Sequence, residues 1–433
     1  MVQPSPLPSV RRHDRAAILV AALATLPLVQ ACGDARPDPG LQVVRDTVAD
    51  TVVVRTLSGS VWGPGARLVP EVEIGVLEGA DEYMFGSIAS LAVAADGTIY
   101  VMDRQIPALR VYDADGAYRA TWGREGGGPG EFAQPDGGLA VLSDGRVLIR
   151  DPGNARIQVY GPDGTALDTW PVVPGGFSSS NPMYRTVDDV LMTPTVMDLE
   201  VDITEWRTGL IRIDAQGNVL DTVPVPDVHE TPTIEARSEN SASINTVPLS
   251  PGEHWSVHPD GFFVHGVADR YAVSLLREGD PLRIERETDP VPVTAGEKRQ
   301  ARALTTRDMR STDPNWRWNG PDIPDTKPAF RNLYTGSDGR IWVMRYGAGI
   351  EGEDADYDPD DPDDVERRWS EPVLFDVFED DGTFLGTVAA PPELSPYPPP
   401  VFRGDEVIAV TRDDLGVQRV VRYRVAQGGD EGA

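Results

Sequence analysis

Three sets of side chains in this 433-residue sequence could do chemistry. His254, His258 and His265 lie close together in the chain. If Asp260-Gly261 is a two-residue hairpin turn, Ser256 faces His265 and the three imidazoles share one side of the ribbon within diagonal reach. Such a cluster would permit zinc. Phe263 and Val267 share that face, so packed, hydrogen-bonded histidines are the plainer expectation. The second set runs from Glu351 to Asp364 without a base, with Asp354, Asp356, Asp358 and Asp360 at alternate positions. Carboxylates so spaced suit calcium, but Pro359 stands where an EF-hand loop needs glycine and Val365 where it needs the bidentate glutamate. A solvated loop with at most weak calcium binding is expected, and otherwise no cofactor. Nucleophiles are scarce: no Gly-x-Ser-x-Gly elbow occurs, and the single cysteine, Cys32, lies near the N-terminus. No catalytic residue is named on this basis.

The third set becomes visible only through a repeat. Gly75 returns as Gly123, Asp96-Gly97 as Asp144-Gly145, Asp103 as Asp151, Tyr112 as Tyr160, Asp115-Gly116 as Asp163-Gly164 and Trp122 as Trp170, always at one fixed step. A period in the range of about 40–50 residues, with short apolar runs between Asp-Gly turns, is that of a propeller blade. Six runs read as the second strand of a blade: Ile99–Met102, Val147–Ile149, Val190–Met192, Phe262–Val264, Ile341–Met344 and Val407–Val410. They do not alternate polar with apolar, as expected where each blade lies between two others and both faces of its middle strands are buried. The residues closing these strands should converge near one end of a central channel. By the repeat these are Asp103, Asp151, Arg345 and Arg412, with His265 a less secure member. The two carboxylates would hold blades together, or the two guanidiniums would form a fork for an anionic ligand group.

The signature of the first two blades is Gly123-Arg-Glu-Gly-Gly-Gly-Pro-Gly-Glu-Phe132, then Pro135, Leu139-Ala-Val141, Asp144-Gly145 and Asp151-Pro-Gly-Asn-Ala-Arg-Ile-Gln-Val-Tyr160. It resembles an NHL repeat, strongly over about residues 68–170 and more weakly to about 425, and the chain is similar to the bacterial six-bladed β-propeller lipoproteins. The glycines do not suit a phosphate cradle, because no Gly-Lys-Ser/Thr follows and no helix opens there. The resemblance implies an all-β fold of four-stranded antiparallel blades and a non-catalytic scaffold that binds a protein, peptide or glycan. Its alternative is a channel-metal enzyme of the lyase or lactonase type, whose ligands come from several blades; the histidine cluster does not match that plan.

Arg67–Gly75 matches the fourth strand of blade one, while the last blade, with strands at 407–411 and 418–425, runs out without a fourth. The N-terminal strand is therefore expected to complete the C-terminal blade. Blade three should run from about Asn181 to Pro226 and blade four from about Asn245 to Val293. Thr294 and Glu297 form a capping-box pattern that opens a helix to about Met309, inside an insertion over 294–326 between blades four and five. Its Lys298, Arg299, Arg302, Arg307 and Arg310 form either a solvated face or a docking patch for an acidic partner.

Arg11, Arg12 and Arg15 precede a short apolar run, Ala16–Leu28, and then Leu28-Val-Gln-Ala-Cys32-Gly33. This reads as an export signal over 1–31, and it resembles a bacterial lipoprotein signal with Cys32 in the lipidated position. Residues 32–50 read as a tether, 51–427 as the propeller and 428–433 as a polar tail. The localisation that follows is membrane-anchored, facing the periplasm or the cell surface. No second segment reaches the length of a membrane helix. The formal charge of −30 disfavours nucleic acid as a partner. With one cysteine no internal disulfide can form, so the core alone must supply the stability.

Overall fold

In the computed structural model the described residues are 40–171, 182–198, 200–201, 206–239, 241–354, 357–361 and 363–428. Cys32, the export signal and Asp356 lie outside them. After two strands, β1 (Gln42–Val48) and β2 (Thr51–Ser58), and a third, β3 (Ala66–Ile74), the chain makes six four-stranded units in succession. Blade one consists of β4 (Ile88–Val93), β5 (Ile99–Asp103), β6 (Ala108–Tyr112) and β7 (Tyr118–Trp122), paired antiparallel in sequence order. Blade two begins at Leu139–Val141, blade three at Tyr184–Arg185, blade four at Glu253–Val257, blade five at Asn332–Thr335 and blade six at Val401–Arg403. All six expected second-strand runs coincide with second strands, except that Val190 and Phe262 stand one residue before theirs, and every residue of β5 and of Val147–Asp151 is buried. The fold is a six-bladed β-propeller.

Closure follows the expected route. Strand β3 pairs antiparallel with Gln418–Ala426, from Arg67 opposite Ala426 to Ile74 opposite Val420, and supplies the outer strand of blade six. It reaches further than the sequence indicated. Ala66 and Arg67 also pair parallel with Val388 and Ala389 of blade five, and the amides of Val61 and Trp62 donate to the carbonyls of Phe384 and Leu385. Before that, β2 adds parallel to Leu282–Arg286, and β1 adds to β2, so blade four has six strands. One N-terminal segment thus belts the rims of blades four, five and six. The tether expected over 32–50 is corrected here, since residues 42–48 are a strand; alternating Val43-Val44 and Thr47-Val48 give it the β-branched content of one.

The hairpins also depart from expectation. At Asp96-Gly97 the Ala94 amide donates to Thr98 O and the Gly97 amide to Ala94 O, and glycine alone has a positive φ, +88°. This is a three-residue loop, a type I turn followed by a left-handed glycine, and not a type I′ turn; it recurs at Gly145, Gly261 and Gly339. The aspartate stays right-handed and its carboxylate caps an amide two residues on, as Asp96 Oδ1 does for Thr98 at 3.0 Å. The extra residue shifts every register by one.

Helix α1 (Ala295–Arg310) opens with the expected capping box, Thr294 Oγ1 accepting from the Glu297 amide and the Glu297 carboxylate from the Thr294 amide. It packs against a hairpin that the sequence did not show, Thr233–Arg237 with Ala242–Thr246, around Ile234, Val247, Met309, Trp316 and Ile323. Blade four consequently begins at Glu253, not near Asn245. Among the described residues no helix is long and apolar enough to cross a membrane.

Candidate functional site

The register shift decides the histidine cluster. Trp255, not Ser256, stands opposite His265, which puts His265 on the face away from His254 and His258. The expected three-imidazole face is therefore corrected, and each ring has its own partner. His265 Nε2 meets Glu253 Oε1 at 2.6 Å, His258 stacks on Phe262 with its Nε2 3.2 Å from Gly339 O, and His254 meets the edge of Phe330. Among the described residues no group of three or more His, Cys, Asp or Glu is placed to hold a metal ion. Burial, opposed only by Glu253, pushes His254 down to about 4. A folded value below the unfolded one means stability complete above pH 6.5 and lost as pH falls toward 4. Going from pH 7.5 to 5 should cost about 2 kcal/mol from this ring, with His258 shifted the same way by burial. The melting temperature should therefore drop by several degrees over that range. His254→Leu should shrink the drop by about half, and a variant with the wild-type pH dependence would refute the assignment.

The charges closing the second strands have separate fates. Asp103 is fully buried and accepts from the amides of Gly86, Ser87 and Gln105, with Arg110 Nη1 3.8 Å away. Asp151, also fully buried, accepts from the amides of Ala133 and Gln134 and from Asn154 Nδ2. Both carboxylates hold the loops that lead into their blades and turn no face to a ligand, which corrects their place in the expected channel-mouth site. Arg345 Nε lies 3.6 Å from Asp376 Oδ2, whereas Arg412 is exposed. Neither Arg345 nor Arg412 is in the lining of the cavity at the hairpin end of the channel.

In the acidic loop the carboxylates serve neighbouring amides: Asp354 takes the Arg367 amide, Asp358 that of Asp360 and Asp364 that of Asp358. The basic helix is largely answered within the insertion, Lys298 by Asp325 at 2.6 Å, Arg307 by Asp308 at 2.8 Å, and Arg302 by Asp322 while it lies over the Trp318 ring. Arg310 donates to Trp316 O, and Arg299 borders a groove with Glu351 and Glu366. The glycine-rich loop is packed: a Cβ on Gly123 (φ +76°) would fall 2.4 Å from the Phe132 ring, and Tyr160 Oη donates to Gly130 O.

What the ring does bring together is a central cavity of about 280 Å³. Counting back three residues from the hairpin aspartate of each blade gives Val93, Val141, Arg185, Val257, Thr335 and Phe402, and all six line it. One residue earlier stand Tyr184, Ser256 and Tyr334 on blades three to five, opposite the smaller Ala92, Ala140 and Val401. Trp255 follows, its ring 5.9 Å from that of Tyr184. The aromatic side chains therefore crowd one half of the channel. Burial, with a smaller push from Tyr334, raises the Tyr184 phenol, so it is a neutral donor at any ordinary pH. The lining holds no Asp, Glu, His or Cys among the described residues, and Arg185 is held by Asp189. The innermost strands β4, Leu139–Val141, Tyr184–Arg185, Glu253–Val257 and Asn332–Thr335 end their sheets, so unpaired backbone edges border the channel as well. Sequence reasoning missed this set, although its offset from the Asp-Gly turns was present in the repeat.

Comparison with known proteins agrees with the geometry. The DUF5128 family, described as a 6-bladed beta-propeller, matches residues 69–167. Similar solved structures include a member of the DUF4221 family from Bacteroides vulgatus, 9% identical with a TM-score of 0.49, covering 84% of this chain and 99% of that one. A putative exported protein from Bacteroides fragilis is 8% identical with a TM-score of 0.44, covering 84% and 96%. A virginiamycin B lyase from Staphylococcus aureus is 10% identical with a TM-score of 0.41, covering 84% and 100%. No curated protein matches the sequence. Sheet order, a cavity lined from six innermost strands and the family matching the first blades all give one architecture, the six-bladed β-propeller.

Proposed function

We propose that this protein is an exported, membrane-tethered propeller that binds a protein, peptide or glycan at the hairpin end of its channel without transforming it. The observation that carries this reading is the channel lining, which offers aromatic rings, apolar side chains, a few hydroxyls and backbone edges but no Asp, Glu, His or Cys among the described residues. Such a surface suits holding a partner. A lyase or lactonase of the channel-metal type needs carboxylate or imidazole ligands from several blades, and the described lining has none.

Two experiments test it. Ser337 is exposed at the cavity rim, so Ser337→Trp should block the mouth with little effect on the fold. Cross-linking in the membrane fraction should then capture a partner with the wild type and not with this variant at unchanged melting temperature; equal capture would refute the channel as the site. The tether is tested at Cys32. Cys32→Ala should move the mature protein from the membrane pellet to the soluble fraction, since one lost lipid group is the whole of the proposed anchor. A variant that still pellets with membranes, unaggregated, would sink the lipid assignment.

A further inference from the structure

The same cavity has a charged rim. Three residues on from a lining residue, each blade carries an acid on its hairpin: Asp96, Asp144, Asp188, Asp260, Asp338 and Asp405; none of them lines the cavity itself, and Asp96 borders a neighbouring groove with Arg403 and Arg422. Arginines answer some of these, Arg146 pairing with Asp144 at 2.8 Å and Arg340 with Asp405 at 2.6 Å. Among the described residues Asp188 and Asp260 form no ion pair with a lysine or arginine, Asp260 having His258 at 3.4 Å, whereas Asp96 lies in the field of Arg119. Hydrogen bonds from the Thr98 amide and then its hydroxyl hold Asp96 below the usual carboxylate range, which keeps it ionised. Asp188 and Asp260 flank the aromatic half of the channel, since they follow Tyr184 and Trp255 on blades three and four. Two independent attractions for a cation therefore coincide, carboxylates at the rim and π-faces just inside.

Resting on the reading of this cavity as the binding site, we infer that the partner is a basic protein segment, with an arginine or lysine side chain entering the channel. The cationic head meets the rings of Tyr184 and Trp255, the apolar stem lies along Val257 and Leu333, and flanking basic residues face the hairpin aspartates. An arginine fits best, because its planar guanidinium stacks on aromatic faces and donates in a fork. An anionic group would enter a cavity whose one lining cation, Arg185, is already held by Asp189. It would exchange its hydration for neutral donors only, beside that already paired arginine. The protein's charge of −30 points the same way at long range.

The test uses the full chain and two peptides that differ in charge alone, acetyl-Gly-Ser-Arg-Ser-Gly-amide and its citrulline counterpart, in calorimetric titrations at low salt. The arginine peptide should bind about tenfold more tightly, as expected of about 1.4 kcal/mol from a partly desolvated cation over aromatic rings. Raising the salt tenfold should weaken it several-fold. Trp255→Leu and Tyr184→Leu should each remove most of the preference, and Asp260→Asn, on an exposed turn, part of it. Should Trp255→Leu disturb the fold, the Tyr184 and Asp260 variants still decide. Equal binding of both peptides, abolished together by Tyr184→Leu, would overturn the basic partner and leave the channel as a binding site. Failure of both peptides while Ser337→Trp still abolishes partner capture would do the same. Failure of both peptides with capture unaffected by Ser337→Trp would overturn both readings.

Discussion

Removal of residues 51–75 should leave a chain with no cooperative melting transition. The deletion strips β2 from blade four and β3 from blades five and six at once. It also takes out the buried side chains of Val53, Val54, Trp62, Leu68 and Ile74, and Val54 seats the Gly382 turn of blade five. At about 1.5–3 kcal/mol for each large apolar side chain, this is on the order of 10 kcal/mol, as much as the whole stability of an ordinary domain. The ring also loses the strand that joins its ends, and the edge of Gln418–Ala426 is left open to pairing with other chains. Circular dichroism melts and size-exclusion chromatography should show an unfolded or aggregated product. A truncated protein melting within about 2 °C of the undeleted chain would mean that the belt is dispensable.

That belt shows which parts of the fold could be read from the chain. The pairing of β3 was legible because Arg67–Gly75 repeats the fourth strand of blade one, ending in Ile74-Gly75 as that strand ends in Trp122-Gly123. The β1–β2 hairpin has no counterpart in the repeat, and it lies parallel to a strand far away in the chain, so neither period nor turn chemistry pointed to it. The histidine cluster failed for a narrower reason. An Asp-Gly pair fits a two-residue turn and a three-residue loop equally well by composition, and the one-residue difference carries His265 to the other face. The channel failed in the opposite way. Its positions were fixed by the offset from each hairpin aspartate, but attention to titratable residues passed over Tyr184, Trp255 and Tyr334. Asp103 and Asp151 drew that attention and proved to be loop anchors, whereas the buried acid that organises the seam between blades four and five, Asp376, sits mid-strand where no motif marks it.

Asp376→Ala should be more damaging than substitution of Asp103, Asp151, Arg345 or Arg412. Its carboxylate is fully buried and accepts from Tyr271 Oη at 2.8 Å, from Thr387 Oγ1 at 2.6 Å and from Arg286 Nη1, with Arg345 Nε 3.6 Å away. Tyr271 and Arg286 belong to blade four and the others to blade five, so one acid ties two blades. Burial and the adjacent carboxylate hold the Tyr271 phenol well above its ordinary value, so it donates at every accessible pH. Taking the acid away leaves two guanidiniums facing each other in a poorly solvated seam, a change that costs about 3–5 kcal/mol when a buried pair loses one member. Arg345→Gln should cost about 1 kcal/mol or less, because its buried Nε makes no hydrogen bond that would be lost and Asp376 keeps its three donors. Denaturant titrations of the two variants test the order. If Arg345→Gln proved the costlier, the seam would be held by the arginine and not by Asp376. If Arg345→Gln instead left stability unchanged but abolished partner capture, Arg345 would belong to the binding site, and the division between structural seam and binding channel would fail at this residue.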